Sequence, residues 1–241
     1  MHLVEVRKKL KRAADKEKAK ILARFFKTGP GEYAQGDMFV GVTVPSLRKI
    51  AKESESLSLT STIQLLKSTI HEERLLALLL LIQKYVRAEA KGKTHIYHLY
   101  LRHTRYINNW DLIDLSAEHI VGAFLRDKSK KSLYRLARSK ILWERRIAIL
   151  ATFHFIKQNS FSDALKIITL LRNDTEDLIH KAAGWMLREI GKRNQLVEER
   201  FLKTHYKKMP RTMLRYAIEK FPEFKRQAYL KGTIPCTPGG E

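Results

Sequence analysis

Apolar residues recur every three or four positions along most of the chain, with polar and basic residues between them. This spacing predicts amphipathic helices, because it places the apolar side chains on one helix face. The first predicted helix covers residues 4–27 and ends at the turn sequence Thr28-Gly29-Pro30-Gly31. A loop follows over residues 32–44, and Pro45 opens a short helix to residue 52, at the position proline favours. No segment alternates like a strand, so we expect no sheet.

Beyond residue 52 the predicted helices come in pairs separated by short polar breaks. The pairs cover residues 60–68 and 72–87, 94–106 and 110–125, 131–139 and 143–157, 163–171 and 175–192, and 196–207 and 211–221. Their second helices align at Arg74, Asp114, Arg146, Lys181 and Arg215, which are 40, 32, 35 and 34 residues apart. Helical hairpins with this period are typical of HEAT and armadillo solenoids.

The period predicts an all-α fold, an α-α superhelix (solenoid) of about five to six HEAT-like helical-hairpin repeats. We expect residues 1–231 to form a single domain. Residues 232–241 contain small-residue breaks and are expected to form a flexible tail.

The aligned positions predict a row of charges on one face. Four of the five hold Arg or Lys, and Asp114 is the exception. Equivalent positions of successive repeats commonly lie in a row on the concave face, so we expect a concave basic face that matches duplex phosphates. A carboxylate in that row opposes backbone binding. It either has another task or pairs with a neighbour such as Arg146.

Charge and composition indicate the class of partner. Lysine and arginine number 47 against 25 acidic residues, a formal charge of +22 over 241 residues, which favours nucleic acid first and an anionic membrane second. The longest apolar run, residues 75–82, is far shorter than the ~20 residues of a spanning helix, so we expect no membrane association. The charged N-terminal helix lacks a secretion signal, and Cys236 is the only cysteine. We therefore expect a cytoplasmic, nucleoid-associated protein.

Each of the three tryptophans shares a helix face with a charged residue. The groups are Trp110 with Asp114, Trp143 with Arg146, and Trp185 with Lys181 and Arg188. One such ring would ordinarily be core packing, but three indicate a lining, since indoles attract cations and stack on bases.

A carboxylate between indoles suits the removal of an alkylated purine. Alkylation at N7 or N3 makes the base cationic, and breaking its glycosidic bond builds oxocarbenium character on the deoxyribose. Asp114 can stabilise that cation and position the attacking water. No metal or cofactor is needed. We expect none, because His95 and His98 form the only close histidine pair and there is no phosphate-binding glycine motif.

Several separated motifs resemble the AlkD-type DNA alkylation repair glycosylases, which are built from HEAT-like repeats. The motifs are Trp110-Asp111-x-x-Asp114, Trp143-x-x-Arg146, Lys181-Ala-Ala-Gly-Trp185-Met-Leu-Arg188-Glu, and the segment from Phe26 through Gly41 to Pro45. The resemblance covers about residues 5 to 225. It implies a monofunctional glycosylase that excises 7-methylguanine and 3-methyladenine from double-stranded DNA, with water as nucleophile. A curved solenoid can wrap DNA alone, so we expect a monomer.

The resemblance also implies residue roles. Asp114 would be the catalytic carboxylate, and Trp110 and Trp185 would contact the backbone and sugar of the damaged nucleotide, which stays in the base stack. The expected DNA-binding residues are Arg146, Arg188, Arg48 and Lys181. The chain departs from the family at Phe25, where members carry a tyrosine.

Two other functions remain open at this point. A non-catalytic HEAT-repeat protein that binds distorted or branched DNA would use the same basic row. A solenoid that docks acidic protein segments would differ in its competition with duplex DNA, because duplex binding falls steeply with salt.

Overall fold

The computed structural model describes residues 1–235, and the fold over these residues is all-α, as predicted. Within this range there is no strand, and Met38 and Ile70 form an isolated parallel bridge. None of the helices in this range combines the length and apolar character that crossing a bilayer requires. Part of the expected tail, including Cys236, lies outside the described residues.

The chain divides into two compact units, and the first is Met1–Ser116. The single-domain assignment stays a prediction. The helices of the first unit are α1 (Leu3–Ala13), α2 (Lys16–Phe25), α3 (Val44–Glu53), α4 (Leu59–Leu66), α5 (His71–Arg87), α6 (Ala90–Arg102) and the start of α7 (Trp110–Ala117).

The predicted single helix over residues 4–27 is wrong, because the chain breaks at Ala14 and Asp15. Ala14 is extended, and the Asp15 carboxylate caps α2 by accepting hydrogen bonds from the amides of Glu17 and Lys18. The loop before α3 packs against this break. Gly41 there has φ 82°, and a side chain would place its Cβ 2.0 Å from the Asp15 carbonyl oxygen. The close approach therefore requires glycine.

Helix α5 forms the centre of the first unit. Its residues from His71 to Leu81 are all buried, and α5 packs against α3, α4 and α6. A helix that is apolar all round is a core helix, which agrees with the long leucine run. Its first turn nevertheless carries charges. Among them, the Glu72 carboxylate accepts hydrogen bonds from the amides of Val40, Gly41 and Val42 and holds that loop in place.

The second unit begins at Ala117. Its elements are a π-helical turn (Glu118–Gly122), α8 (Ala123–Leu125), α9 (Lys131–Ala137), α10 (Leu142–Ala151), α11 (Phe153–Ile156), α12 (Ser162–Leu171), α13 (Asp177–Gly191), α14 (Gln195–His205), α15 (Arg211–Ala217) and α16 (Glu223–Lys231). Helix α13 packs against α10, α12, α14 and α15. At Gly184 a Cβ would lie 2.4 Å from the Met213 carbonyl oxygen, so glycine lets α13 and α15 approach closely.

Helix α16 was not predicted from the sequence. It buries Tyr229 but no other residue, so its apolar pattern is weak. Gly232, in the left-handed conformation at φ 78°, ends it.

Candidate active site

Helix α7 presents Trp110, Asp111 and Asp114 on one side. Leu112 and Ile113 on the other side are fully buried, whereas the three candidate side chains are partly exposed. Asn109 precedes the helix, and its Oδ1 accepts a hydrogen bond from the Trp110 amide at 2.8 Å. The sequence thus orients α7 by burying its apolar face, which places a ring and two carboxylates on the other side.

Contacts on several sides fix the indole of Trp110. Its ring stacks on Phe26 with centroids 5.1 Å apart and planes at 20°, and Phe25 meets it edge-on at 6.0 Å. Its Nε1 donates to the hydroxyl of Tyr33 at 3.3 Å. The Phe25 ring itself is 62% exposed. The indole is therefore held in position by protein contacts before any ligand arrives.

Asp114 lies one helical turn beyond Trp110 and is half-buried. Its carboxylate interacts electrostatically with the buried hydroxyl of Tyr100. That hydroxyl forms a hydrogen bond of 2.8 Å with the Ser116 hydroxyl. Burial raises the pKa of Tyr100, and the Asp114 carboxylate raises it further. Asp114 thus combines partial exposure with a surrounding that excludes much of the water, which strengthens its electrostatic effect on a nearby cation.

Behind the first turn of α7 lies a buried ionic cluster of Asp37, His71, Arg74 and Asp111. His71 Nε2 lies 2.8 Å from Asp111 Oδ2, and its Nδ1 lies 3.2 Å from Asp37 Oδ2. Arg74 Nη2 contacts the same Asp37 oxygen at 2.7 Å. Burial alone would lower the pKa of His71, but hydrogen bonds with Asp111 and Asp37 outweigh it and raise the pKa.

Arg74 was expected as an exposed cation of the charged row, and that expectation is wrong. Its side chain is buried and paired with Asp37, because it sits at the start of the fully buried helix α5. The predicted row of phosphate-matching cations therefore does not include its first member.

An apolar cavity of about 230 Å³ adjoins the same cluster. Leu22, Phe26, Phe39, Val42, His71 and Asp111 are among its lining residues. The Phe26, Phe39 and His71 rings that face it are stacked in series, with centroids 5.1 and 4.5 Å apart. The cavity therefore lies beside the rings that support Trp110.

Arg48, the remaining candidate of the first unit, is exposed on α3. In the second unit Arg146 on α10 is only 5% exposed, and its Nη1 donates to the Leu178 carbonyl oxygen at 2.5 Å. Lys181 on α13 forms an ion pair with Asp177 at 2.9 Å. The candidate cations thus differ widely in accessibility.

Trp185 and Arg188 lie on α13 and are both half-buried. The Trp185 Nε1 donates to Glu189 Oε1 at 3.1 Å, and its ring contacts Phe153 with centroids 5.8 Å apart. Arg188 pairs with Glu219, while its Nε is buried without a hydrogen-bond partner.

Glu198 on α14 is a buried carboxyl whose charge interacts with Arg188. It is 2% exposed, and its Oε1 has no hydrogen-bond partner. Burial raises the pKa of Glu198 to about 8, the charge of Glu199 adds to the rise, and Arg188 and Lys225 oppose it. The carboxyl is therefore mostly protonated at neutral pH.

Sequence reasoning missed the ionic cluster and Glu198. A signal for the cluster was present, because four ionisable residues, His71 to Arg74, directly precede the apolar run Leu75 to Ile82 of the same helix. Charges at the entrance to a buried helix require partners, so each needs a counter-charge from another element. Within residues 1–235 no group of three or more His, Cys, Asp or Glu is placed to hold a metal ion.

Comparisons with known proteins agree with the resemblance seen in the motifs. A family model described as "DNA alkylation repair enzyme" matches residues 6–221. The fold is similar to a "Predicted DNA alkylation repair enzyme from Enterococcus faecalis", with TM-score 0.66 and 18% identity over 87% of this chain and 97% of that chain. This likeness supports the helical-repeat fold.

Two solved proteins of Streptococcus mutans match with a TM-score of 0.47 each. They are AlkD2, 19% identical over 86% of this chain and 89% of its own, and smu.31 of strain UA159, 18% identical over 86% and 92%. Comparison with curated proteins gave no match.

Proposed function

Because the chain belongs to the family of DNA alkylation repair enzymes, we propose that it is a monofunctional glycosylase. It hydrolyses the N-glycosidic bond of N7- and N3-alkylated purines, such as 7-methylguanine and 3-methyladenine, in duplex DNA. One observation carries the proposal. The partly exposed Asp114 lies one helical turn from the pre-positioned Trp110, on the same side of α7, in a protein with a charge of +22.

The reaction uses the intrinsic instability of the damaged nucleoside. When the C1′–N bond breaks, its electron pair neutralises the cationic base, which leaves, and positive charge develops on the sugar. The Asp114 carboxylate stabilises this charge and orients a water, which adds to C1′ and loses a proton. The products are a free base and an abasic site, with no covalent intermediate on the protein.

The indole of Trp110 supplies the second contribution. A fixed aromatic ring attracts cationic groups and packs against the sugar, and a ring that is already ordered loses little conformational entropy on binding. For the second unit, we assign Trp185 a contact with the nucleotide backbone.

The cations named from the sequence are assigned to phosphates. Arg188 and Lys181 now pair with carboxylates on the protein, so a phosphate would compete with Glu219 and Asp177. Arg48 is exposed and gives a weaker, solvated contact. Arg146 can reach a phosphate only through the small exposed part of its side chain. We further assign the protein to the cytoplasm, acting as a monomer on nucleoid DNA.

The test is release of 7-methylguanine from methylated duplex DNA under single-turnover conditions. Asp114→Asn should lower the rate roughly 10²-fold, comparable to the loss of one preorganised electrostatic group. Asp127→Asn is the control, since its exposed carboxylate lies in a surface pair with Arg126, and its rate should not change. No release by the wild type would remove the catalytic proposal, whereas equal release by Asp114→Asn would remove only the residue assignment.

The net charge of +22 also suits a second candidate, a non-catalytic protein that binds distorted or branched DNA. Tight binding of branched DNA without base release, unaffected by Asp114→Asn, would favour it.

A further inference from the structure

The buried ionic cluster contains two acids and two bases that meet around one imidazole. The His71 side chain is 2% exposed, and the side chains of Asp37 and Arg74 are 5% and 4% exposed. Asp37 Oδ2 contacts His71 and Arg74, and the side-chain amide of Asn109 donates to it at 3.5 Å. Asp111 Oδ2 faces the other ring nitrogen of His71 at 2.8 Å.

This geometry favours a doubly protonated ring. A neutral imidazole has one N–H, so one of its nitrogens would direct a lone pair at a carboxylate oxygen. With His71 as a cation, the two acids are balanced by two bases. With a neutral ring, the cluster keeps an uncompensated negative charge beside Asp111, whose side chain is only 17% exposed, and this is unfavourable. Arg74 Nη2, 3.5 Å from Nδ1, opposes the second proton but already contacts Asp37.

His71 holds the start of α7 by two separate routes. One route is ionic and passes through Asp111, the residue next to Trp110 and three before Asp114. The other is aromatic: the imidazole stacks on Phe39 at 4.5 Å, Phe39 on Phe26 at 5.1 Å, and Phe26 on the indole of Trp110 at 5.1 Å. The ring thus supports both the helix turn and the indole.

We propose that His71, as an imidazolium between Asp37 and Asp111, is a positioning residue for Trp110 and Asp114, and that its deprotonation sets the alkaline limit of base release. The part concerning base release rests on the proposed function. The part concerning the position of Trp110 does not, so the two can be tested separately.

The sign of the pH effect follows from the groups that face the ring. They are Asp37 from the loop before α3, Asp111 from α7 and Arg74 from α5, while Glu72 of α5 and Lys18 of α2 line the cavity beside the ring. The two carboxylates outweigh burial and Arg74 and raise the pKa of His71. The contribution of the imidazolium to holding α7 is therefore fully present below the ordinary pKa of histidine. That contribution is lost as pH rises through the raised value.

The first experiment is independent of catalysis. In protein labelled with ¹⁵N, the ring nitrogens of His71, assigned with His71→Asn, should both be protonated at pH 7. The indole N–H signal of Trp110, assigned with Trp110→Phe, should shift at the pH where His71 loses its proton. The proposal would be overturned by a neutral His71 at pH 7. It would also be overturned if the indole N–H signal of Trp110 did not shift when His71 loses its proton.

The second experiment uses base release. Asp111→Asn removes one counter-charge and should lower the pKa of His71 by at least about one unit. The alkaline fall in release rate should then begin about one pH unit lower. The variant should be about 3-fold slower midway between the two transitions and about 10-fold slower above both, while at acidic pH it approaches the wild type.

The control is His95→Asn, an exposed histidine of the same unit, whose pH profile should match the wild type. A purely structural effect of Asp111→Asn would lower the rate equally at every pH and would overturn the proposal. If the wild type releases no base at all, the proposed function fails, and the spectroscopic experiment still decides the role of His71.

Discussion

Replacing Glu198 by glutamine should stabilise the protein, increasingly as the pH rises. The carboxyl of Glu198 is 2% exposed, one of its oxygens lacks a hydrogen-bond partner, and Glu199 follows it directly. Ionisation in that position forfeits hydration without gaining a full counter-charge, because Arg188 is already paired with Glu219. Glutamine has nearly the same shape and cannot ionise.

The magnitude follows from the pKa. Burial raises the pKa of Glu198 from 4.5 to about 8. A raised carboxyl pKa means that the folded state holds the proton more tightly than the unfolded state. The favourable contribution is complete below about pH 4.5 and is lost as pH rises to about 8. The difference between the two pKa values corresponds to about 5 kcal/mol of unfolding free energy. This is an upper bound, because water entry and side-chain movement lower the energy of the ionised carboxylate.

The assay is urea unfolding of the wild type and Glu198→Gln at pH 5, 7 and 9. The two free energies of unfolding should agree to within about 1 kcal/mol at pH 5, and the variant should be more stable by several kcal/mol at pH 9. Glu176→Gln, at an exposed acid of the same unit, should give the same small difference at each pH. A Glu198→Gln effect that does not change with pH would refute the reasoning.

Three further predictions concern binding and packing. Arg188→Gln should weaken duplex binding and reduce the slope of log affinity against log salt by about one, whereas Asp114→Ala should preserve or increase affinity in the same titration. Gly184→Ala should destabilise the protein by about 1–3 kcal/mol in thermal unfolding, because its Cβ would meet a backbone carbonyl at 2.4 Å. Tyr33→Phe should cost about 1 kcal/mol and shift the Trp110 fluorescence, since it removes the acceptor for the indole N–H.

The helical pairs were predictable because each depends on local apolar spacing. The paired helices from residue 60 to 221 appear in the structure with ends displaced by only a few residues, although 143–157 is split at Thr152 and 110–125 contains a π-helical turn. The break at Asp15 was not predictable in the same way, since the apolar spacing continues across it. A capping carboxylate and the close approach of Gly41 end the helix there, and both depend on the fold.

Side-chain exposure was harder to predict than helix position. The register treats all second helices as equivalent, yet Arg74 and Arg146 are buried whereas Arg215 is exposed. The ionic cluster joins residues 37, 71, 74 and 111, which no local pattern connects. In the sequence, Asp111 stands out only as part of the motif Trp110-Asp111-x-x-Asp114, and its partner His71 lies 40 positions earlier.

The two acids of α7 have different electrostatic surroundings, and a double-mutant cycle can distinguish their roles. The charge of Asp111 is met by His71 inside the protein, whereas Asp114, one turn later, is half-buried and proposed to face a cation that forms during the reaction. If Asp111 acts by positioning Asp114, its contribution requires the Asp114 carboxylate. The Asp111→Asn, Asp114→Asn double variant should then be slowed at alkaline pH by less than the product of the two single effects, because only the share that acts through Trp110 remains. Additive losses in the two variants would mean that Asp111 contributes by a route separate from Asp114.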